Sequence, residues 1–428
     1  MNSELIAYLE QSNPWMKQPG QKIVDSIRLT GRLQLDWLLS PTWDDFWSIL
    51  IGPRQAGKTT LGLLLCQQLL AQKRFGSLLY LNCDELLIRD WLKNPLFIQE
   101  AQSFFKIEKF ILFIDEVQRL PSPGLLLKNI IDLKLPLKLI ASGSSQLEIK
   151  SKVQEFLTGR QLEALILPFS YAELGAVREE QIIYGCYPKV VRTQDKALIL
   201  QQLYNDYVNK DIIELLKVAY PDTLQKLMTL IAHSSGQLIN YQQLATDLQS
   251  TTVILKKYLL LLEQTYTIVR IRPFVGNKRK EITQNPIYYF IDNGFRNQAL
   301  RNFSALDTRQ DLGLLIESAV FQELFKLRAN HFLNFDIHFW RTQSGAEIDF
   351  ILYVNTDKFI PIEVKYRSMQ TAKLTRSFYS FIEAYQPALG FMITKDYYGK
   401  MEYKGCVVHL IPFSMLERAL QEILCFVH

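Results

Sequence analysis

Nine residues, GPRQAGKTT from Gly52 to Thr60, stand between the apolar run WSILI and the helical pattern TLGLLLCQQLL. Gly52, Gly57, Lys58 and Thr59 fall in the register G-x-x-x-x-G-K-[ST], after a strand pattern and at the mouth of a helix, as a phosphate-binding loop (P-loop) requires. The glycines let backbone N–H groups turn inward around phosphate oxygens, and the first turn of the helix adds its positive end. Lys58 then reaches the outer phosphates and Thr59 reaches a magnesium ion. Gly52, Gly57, Lys58, Thr59 and Thr60 are therefore the candidate nucleotide-binding residues. The alternative is a glycine-containing turn that fits by chance, which the flanking strand and helix disfavour.

A loop of this kind needs a sheet to stand on. The short apolar runs WSILI, SLLYLN, FILFID and LKLIAS alternate with longer amphipathic stretches up to about Leu167, the pattern of a parallel sheet wrapped by helices. FILFID ends in Asp115 and is followed by Glu116, so a strand delivers two carboxylates to the sheet edge that carries the loop. Asp115 is expected to hold magnesium and Glu116 to polarise a water molecule. Two acids that merely cap a helix are the competing reading. LKLIASGSSQL ends in hydroxyl residues, where Ser144 or Ser145 could sense the terminal phosphate; serine and glycine after a strand also serve simply as turn formers.

The rest of the chain changes character twice. From Phe169 to about Lys217 the strand patterns give way to long helical ones, which implies a helical lid. NYQQLATDL and TTVILKKYLLLLEQ then form two helices around a tight turn, with Asn240 as a cap for the first, and YTIVRIRPFVGNKRKEI and PIYYFID follow as a hairpin. Helix, turn, helix and hairpin together make a winged helix-turn-helix. After Asp311 come another helix, the extended run FDIHFWRT, and GAEIDFILYVNTDKFIPIEVK. The expected division is 1–168 for the ATPase core with its N-terminal helical segment, 169–220 for the lid, 221–300 for the winged helix and 301–428 for a C-terminal α/β domain.

Taken with FLTGRQLEALILPFSYAEL, the P-loop, the Asp115–Glu116 pair and the ASGSS turn resemble prokaryotic and archaeal AAA-type (AAA+) ATPases. YGCYPKVV, PIYYFIDNGF, GLLIESAVFQEL, WRTQSGAEIDFIL and IEVK extend the resemblance over nearly the whole chain. They match the family that joins this core to a winged helix and a C-terminal PD-(D/E)XK nuclease-like domain. The resemblance implies an α/β fold, ATP and Mg²⁺ as cofactors, and an arginine that reaches a neighbouring subunit's nucleotide. Arg160 matches that place and Arg119 is the second candidate. Such a finger implies a homo-oligomer, with a hexameric ring as one form; a cation at a helix end is the alternative for Arg160.

Two further sites are expected. In the winged helix, Lys256 and Lys257 are the clear cations of the second helix, and Arg270, Arg272, Lys278, Arg279 and Lys280 make the wing basic. This patch suits the backbone phosphates of DNA without reading sequence, unless the winged helix is a packing module with a solvated basic surface; the three modules together imply branched or structured DNA of recombination and repair as the partner. In the last domain, alternation puts Glu347 and Asp349 on one side of their strand, and Glu363 and Lys365 on one side of the next. Asp349, Glu363 and Lys365 then converge, with Glu317 from the preceding helix as an added acid. The nuclease-like resemblance makes Glu317, Asp349 and Glu363 metal ligands and Lys365 a catalytic cation. An exposed strand pair with a salt bridge is the plainer reading.

Composition bounds these expectations loosely. The 428 residues are 48% hydrophobic and 21% charged with a net charge of +5, as in a globular chain that permits a polyanionic partner. No stretch of eighteen uninterrupted apolar residues occurs and the N-terminus lacks a leader pattern, so a cytoplasmic location without a membrane partner is expected. Five scattered cysteines read as reduced, buried thiols. A rival to the DNA motor is a nucleotide-controlled switch that recruits proteins and carries an inert nuclease-like domain.

Overall fold

The computed structural model describes residues 3–16, 22–24, 31–144, 161–214, 218–274, 285–356 and 358–424. The chain divides into two compact units, Met1–Leu167 with Ala329–His331, and Pro168–Arg328 with Phe332–His428.

The first unit is built on β1 (Trp47–Ile51), β2 (Ser77–Asn82), β3 (Phe110–Asp115), β4 (Leu137–Gly143) and β5 (Gln161–Leu165). They pair in the order β2-β3-β4-β1-β5, parallel throughout. All six residues of β3 are buried, as expected of a strand covered on both faces. The described helices of this unit are α1 (Ser3–Ser12), α2 (Gln34–Leu38), α3 (Lys58–Ala71), α4 (Leu86–Trp91), α5 (Leu96–Phe104) and α6 (Pro123–Asp132). Leu61, Leu65 and Cys66 of α3 join Leu50, Phe113 and Ile140 in the core. The approach is close: a Cβ at Gly62 would meet the Phe113 ring at 2.5 Å. The lack of a side chain at Gly62 is what lets α3 lie this near the Phe113 ring.

The second unit opens with α7 (Glu179–Tyr184), α8 (Pro188–Arg192) and α9 (Lys196–Asp206), the last continuing as a π-helix over Tyr207–Glu214. Then come α10 (Pro221–His233), α11 (Tyr241–Asp247) and α12 (Thr252–Gln264). Asn240 caps α11 as expected, accepting from the N–H groups of Gln242 at 3.0 Å and Gln243 at 3.2 Å. β6 (Ile268–Pro273) and β7 (Ile287–Phe290) pair antiparallel, Ile268 opposite Phe290. They are followed by α13 (Asn293–Leu300), α14 (Leu312–Asn330), β8 (Asp336–Arg341), β9 (Glu347–Asn355), β10 (Lys358–Lys365), α15 (Arg376–Tyr385), β11 (Leu389–Thr394), β12 (Gly399–Tyr403), β13 (Cys406–Pro412) and α16 (Leu416–Leu424).

These strands form one eight-stranded sheet in the order β12-β13-β11-β10-β9-β8-β6-β7. The hairpin joins it by parallel pairing of Arg272 with His338 and of Pro273 with Phe339. Phe274, directly after β6, packs among Trp340, Phe378 and Phe381 in the core of the C-terminal strands. The sheet therefore runs across the position, 300/301, at which the sequence suggests a division. On α14, Lys326 and Glu323 form a buried ion pair at 3.0 Å. Lys326 also donates to the Phe169 carbonyl at 2.9 Å, and Glu323 accepts from the Tyr171 N–H at 2.9 Å, so the pair is satisfied on both sides.

Candidate functional site

The loop after β1 has the backbone its glycines suggest. Gly52 has φ +145° and Gly57 φ +99°, and a Cβ on Gly52 would collide with the Ile166 carbonyl oxygen. Lys58 is 4% exposed and donates Nζ to the carbonyls of Gly52 at 3.0 Å and Pro53 at 2.8 Å, which keeps its charge inside the curl of the loop. Thr59 Oγ1 donates to Asp115 Oδ2 at 2.8 Å. Thr60 follows it, half-buried, in the first turn of α3.

Asp115 is held by three hydroxyl groups. Besides Thr59, Tyr80 of β2 donates to Oδ2 at 3.0 Å, and Ser142 of β4 donates to Oδ1. Tyr80 belongs to no motif, and Ser142, although it stands in the ASGSS turn, is not singled out there; the sequence offers only that strand patterns end near both. A threonine hydroxyl and an aspartate carboxylate side by side are hard oxygen donors, and they fit magnesium with water completing its shell. Glu116 adopts the left-handed φ of 54°, and its carboxyl is pushed upward chiefly by burial, with Lys58 opposing and Asp115 reinforcing the shift. Gln118 Nε2 donates to the Glu116 carboxylate and, at 2.9 Å, to Ser144 Oγ. Arg119 is paired with Asp84 at 3.0 Å. Arg160 and Ser145 lie outside the described residues.

The second cluster lies in the C-terminal strands. Pairing of Phe350 with Ile362 sets Asp349 of β9 beside Glu363 of β10. Glu317 of α14, Glu347 and Asp349 help line a pocket of about 440 Å³, together with Tyr289, Trp340 and Arg341. Tyr289 donates its hydroxyl to Glu317 at 2.5 Å, and the Val364 N–H donates to Asp349 at 2.7 Å. Glu363 is 2% exposed, and both its oxygens are engaged, one by Lys365 at 2.9 Å and the other by the Thr375 hydroxyl at 2.6 Å. Burial raises Glu317 well above the ordinary carboxyl range, with Asp349 adding to the effect, and raises Asp349 to about 7. Among the described residues no group of three or more His, Cys, Asp or Glu side chains is arranged to hold a metal ion.

The basic surface is only partly described. Lys256, Lys257, Arg270 and Arg272 are all exposed, and Arg270 is ion-paired with Glu263 at 3.4 Å. Lys256 also stands 5.2 Å from the centre of the Tyr241 ring. Lys278, Arg279 and Lys280 lie outside the described residues. Cys66, Cys83, Cys186 and Cys406 are buried and unbridged. No helix among the described residues is long and apolar enough to cross a membrane.

Comparison with known proteins bears on the first site most directly. Residues 45–175 match the AAA domain family. Over that stretch, which holds the P-loop and Asp115, the chain is similar to AAA domains. Residues 177–306 and 312–416 match two domains of unknown function, DUF8612 and DUF4143. An uncharacterized protein of Haemophilus influenzae is 25% identical over 87% of this chain and 94% of its own length. An uncharacterized protein of Mycobacterium tuberculosis is likewise 25% identical, over 72% of this chain and 67% of its own. The structure of C. elegans PCH-2 overlays 44% of this chain and 46% of that one at 17% identity and a TM-score of 0.23, too low a score to carry a structural conclusion.

Proposed function

We propose that this protein is a magnesium-dependent, ATP-hydrolysing AAA-type motor that engages branched or otherwise structured DNA. The observation that carries the ATPase reading is the junction of Thr59 with Asp115 at 2.8 Å, beside a P-loop lysine and a following glutamate. Thr59 and Asp115 are the residues that would hold Mg²⁺, which when bound neutralises charge on the outer phosphates. Lys58 binds the same phosphates, Ser144 contacts the terminal one, and Glu116 orients a water for in-line attack and takes its proton. Assembly into a homo-oligomer, with Arg160 or Arg119 reaching a neighbouring nucleotide, belongs to this reading.

Support for the DNA part comes from two capped helices followed by an antiparallel hairpin, as in a winged helix, with Lys256, Lys257 and Arg272 exposed. The order α14, β8, β9, β10, α15, β11 supports a PD-(D/E)XK nuclease-like fold for the last domain. One observation favours the switch as a second reading: Glu363 is committed to Lys365 and Thr375, as suits an inert module. ATP turnover, assembly and binding should be measured with duplex, single-stranded, forked and four-way DNA, with ATP or Mg²⁺ withheld in turn. Turnover and assembly that ignore DNA, with no salt-sensitive binding, would rule out the motor and leave the switch.

A further inference from the structure

We propose that Gln118 is a positioning residue of the hydrolytic site, tying the carboxylate of Glu116 to the hydroxyl of Ser144 through one amide nitrogen. The proposal rests on the ATPase reading and adds to it a link between the residue that faces the terminal phosphate and the one that faces water. Gln118 sits in the 3₁₀ turn Val117–Arg119, 7% exposed, and its Nε2 reaches both Glu116 Oε2 and, at 2.9 Å, Ser144 Oγ.

A primary amide nitrogen carries two hydrogens, so each acceptor takes one and the nitrogen is fully used. The reverse orientation would press the amide oxygen against a carboxylate. In the orientation seen, Gln118 Oε1 is buried with no hydrogen-bond partner among the described residues. A buried acceptor left without a partner carries a stability cost, so the amide is held for what its nitrogen does.

Two consequences follow for the reacting groups. Because Ser144 accepts from Gln118, its own hydrogen turns away from the amide and is available to an anion. Because Glu116 Oε2 is taken by Gln118, its other oxygen is the one that accepts from water. A single side chain thus leaves one donor for phosphate and one acceptor for water. The left-handed backbone at Glu116, φ 54°, brings the carboxylate back to the amide only two residues later, and its N–H is anchored on Ser142 at 3.3 Å.

The test uses the full chain and compares Gln118→Met, which keeps the length without the donor, Gln118→Ala, Ser144→Ala and the double variant Gln118→Met with Ser144→Ala. Steady-state ATP hydrolysis gives kcat and KM, and a fluorescent ATP analogue gives binding. Either Gln118 variant is expected to lose about 10- to 100-fold in kcat while KM and nucleotide affinity stay within about threefold. The double variant is expected to be within about twofold of the slower single one, because both substitutions break the same link. The proposal is overturned if Gln118→Met keeps wild-type kcat, if binding falls as much as kcat, or if the losses multiply in the double variant. Lys58→Ala separates the two levels of inference: wild-type turnover that does not depend on Lys58 removes the ATPase reading and this link with it. Turnover that depends on Lys58 but ignores Gln118 removes the link alone.

Discussion

Thr59 Oγ1 and Asp115 Oδ2 are joined across 2.8 Å, which fastens the first turn of α3 to the tip of β3. The two residues are 56 positions apart, and their meeting turns a loop motif and a strand motif into one site.

Lys58→Ala should abolish nucleotide binding, because it removes the cation that the carbonyls of Gly52 and Pro53 hold inside the loop. Glu116→Gln should keep binding and slow turnover by about 100- to 10,000-fold, the range associated with a general base. Equilibrium binding of a fluorescent nucleotide beside a phosphate-release assay separates the two outcomes. Wild-type turnover in the glutamine variant would remove Glu116 from the mechanism.

The acidic pocket predicts a pH dependence of stability. Glu317 and Asp349 have folded-state pKa values raised by burial, Asp349 to about 7, so the folded chain keeps protons that the unfolded chain releases above the ordinary carboxyl range. Their contribution to stability therefore falls as pH rises from the unfolded values through about 7. Glu317→Gln removes one of these titrations while its amide oxygen can still accept from Tyr289. Thermal melts at pH 5 and pH 8 should show a flatter dependence than wild type and a higher Tm at pH 8. An unchanged slope would mean that Glu317 is ionised at little cost.

Lys326→Met should destabilise the second unit by about 3–5 kcal/mol, since it leaves Glu323 as an uncompensated buried charge. Adding Glu323→Gln should recover most of that loss. Urea denaturation followed through tryptophan fluorescence measures both. Additive losses in the double variant would show that the ion pair is not the reason.

Replacing Lys256, Lys257 and Arg272 together by Ala should flatten the plot of log affinity for duplex DNA against log salt, by about 0.9 for each phosphate that is no longer neutralised. Arg270→Ala should change that slope less, because its guanidinium is already paired with Glu263. An unchanged slope in the triple variant, with ATP affinity intact, points to a helix pair used for packing.

The sequence is most legible where spacing is local. The P-loop, the apolar strand ending in Asp115, and the Asn240 cap all depend on residues within a few positions of one another, and each takes the expected geometry. Partnerships between distant residues leave no such pattern: Tyr289 meets Glu317 across 28 positions, and Ser142 meets Asp115 across 27. Gln118 looks like an ordinary polar residue after a motif, and only its two acceptors distinguish it. Helix α14 hides its ion pair for another reason, since polar residues buried all round a helix blur the apolar stripe that marks an exposed face. The acids of β9 and β10 fall on neighbouring strands as alternation predicts, but alternation cannot say which oxygens are already taken.

The parallel pairing of β6 with β8 has a practical consequence. A chain cut anywhere between α13 and α14 leaves each fragment with a raw strand edge, whose unpaired N–H and C=O groups seek another chain. The basic hairpin and the acidic strands are thus not separable cargo: expressed apart they should self-associate, whereas co-expressed halves should re-form one sheet.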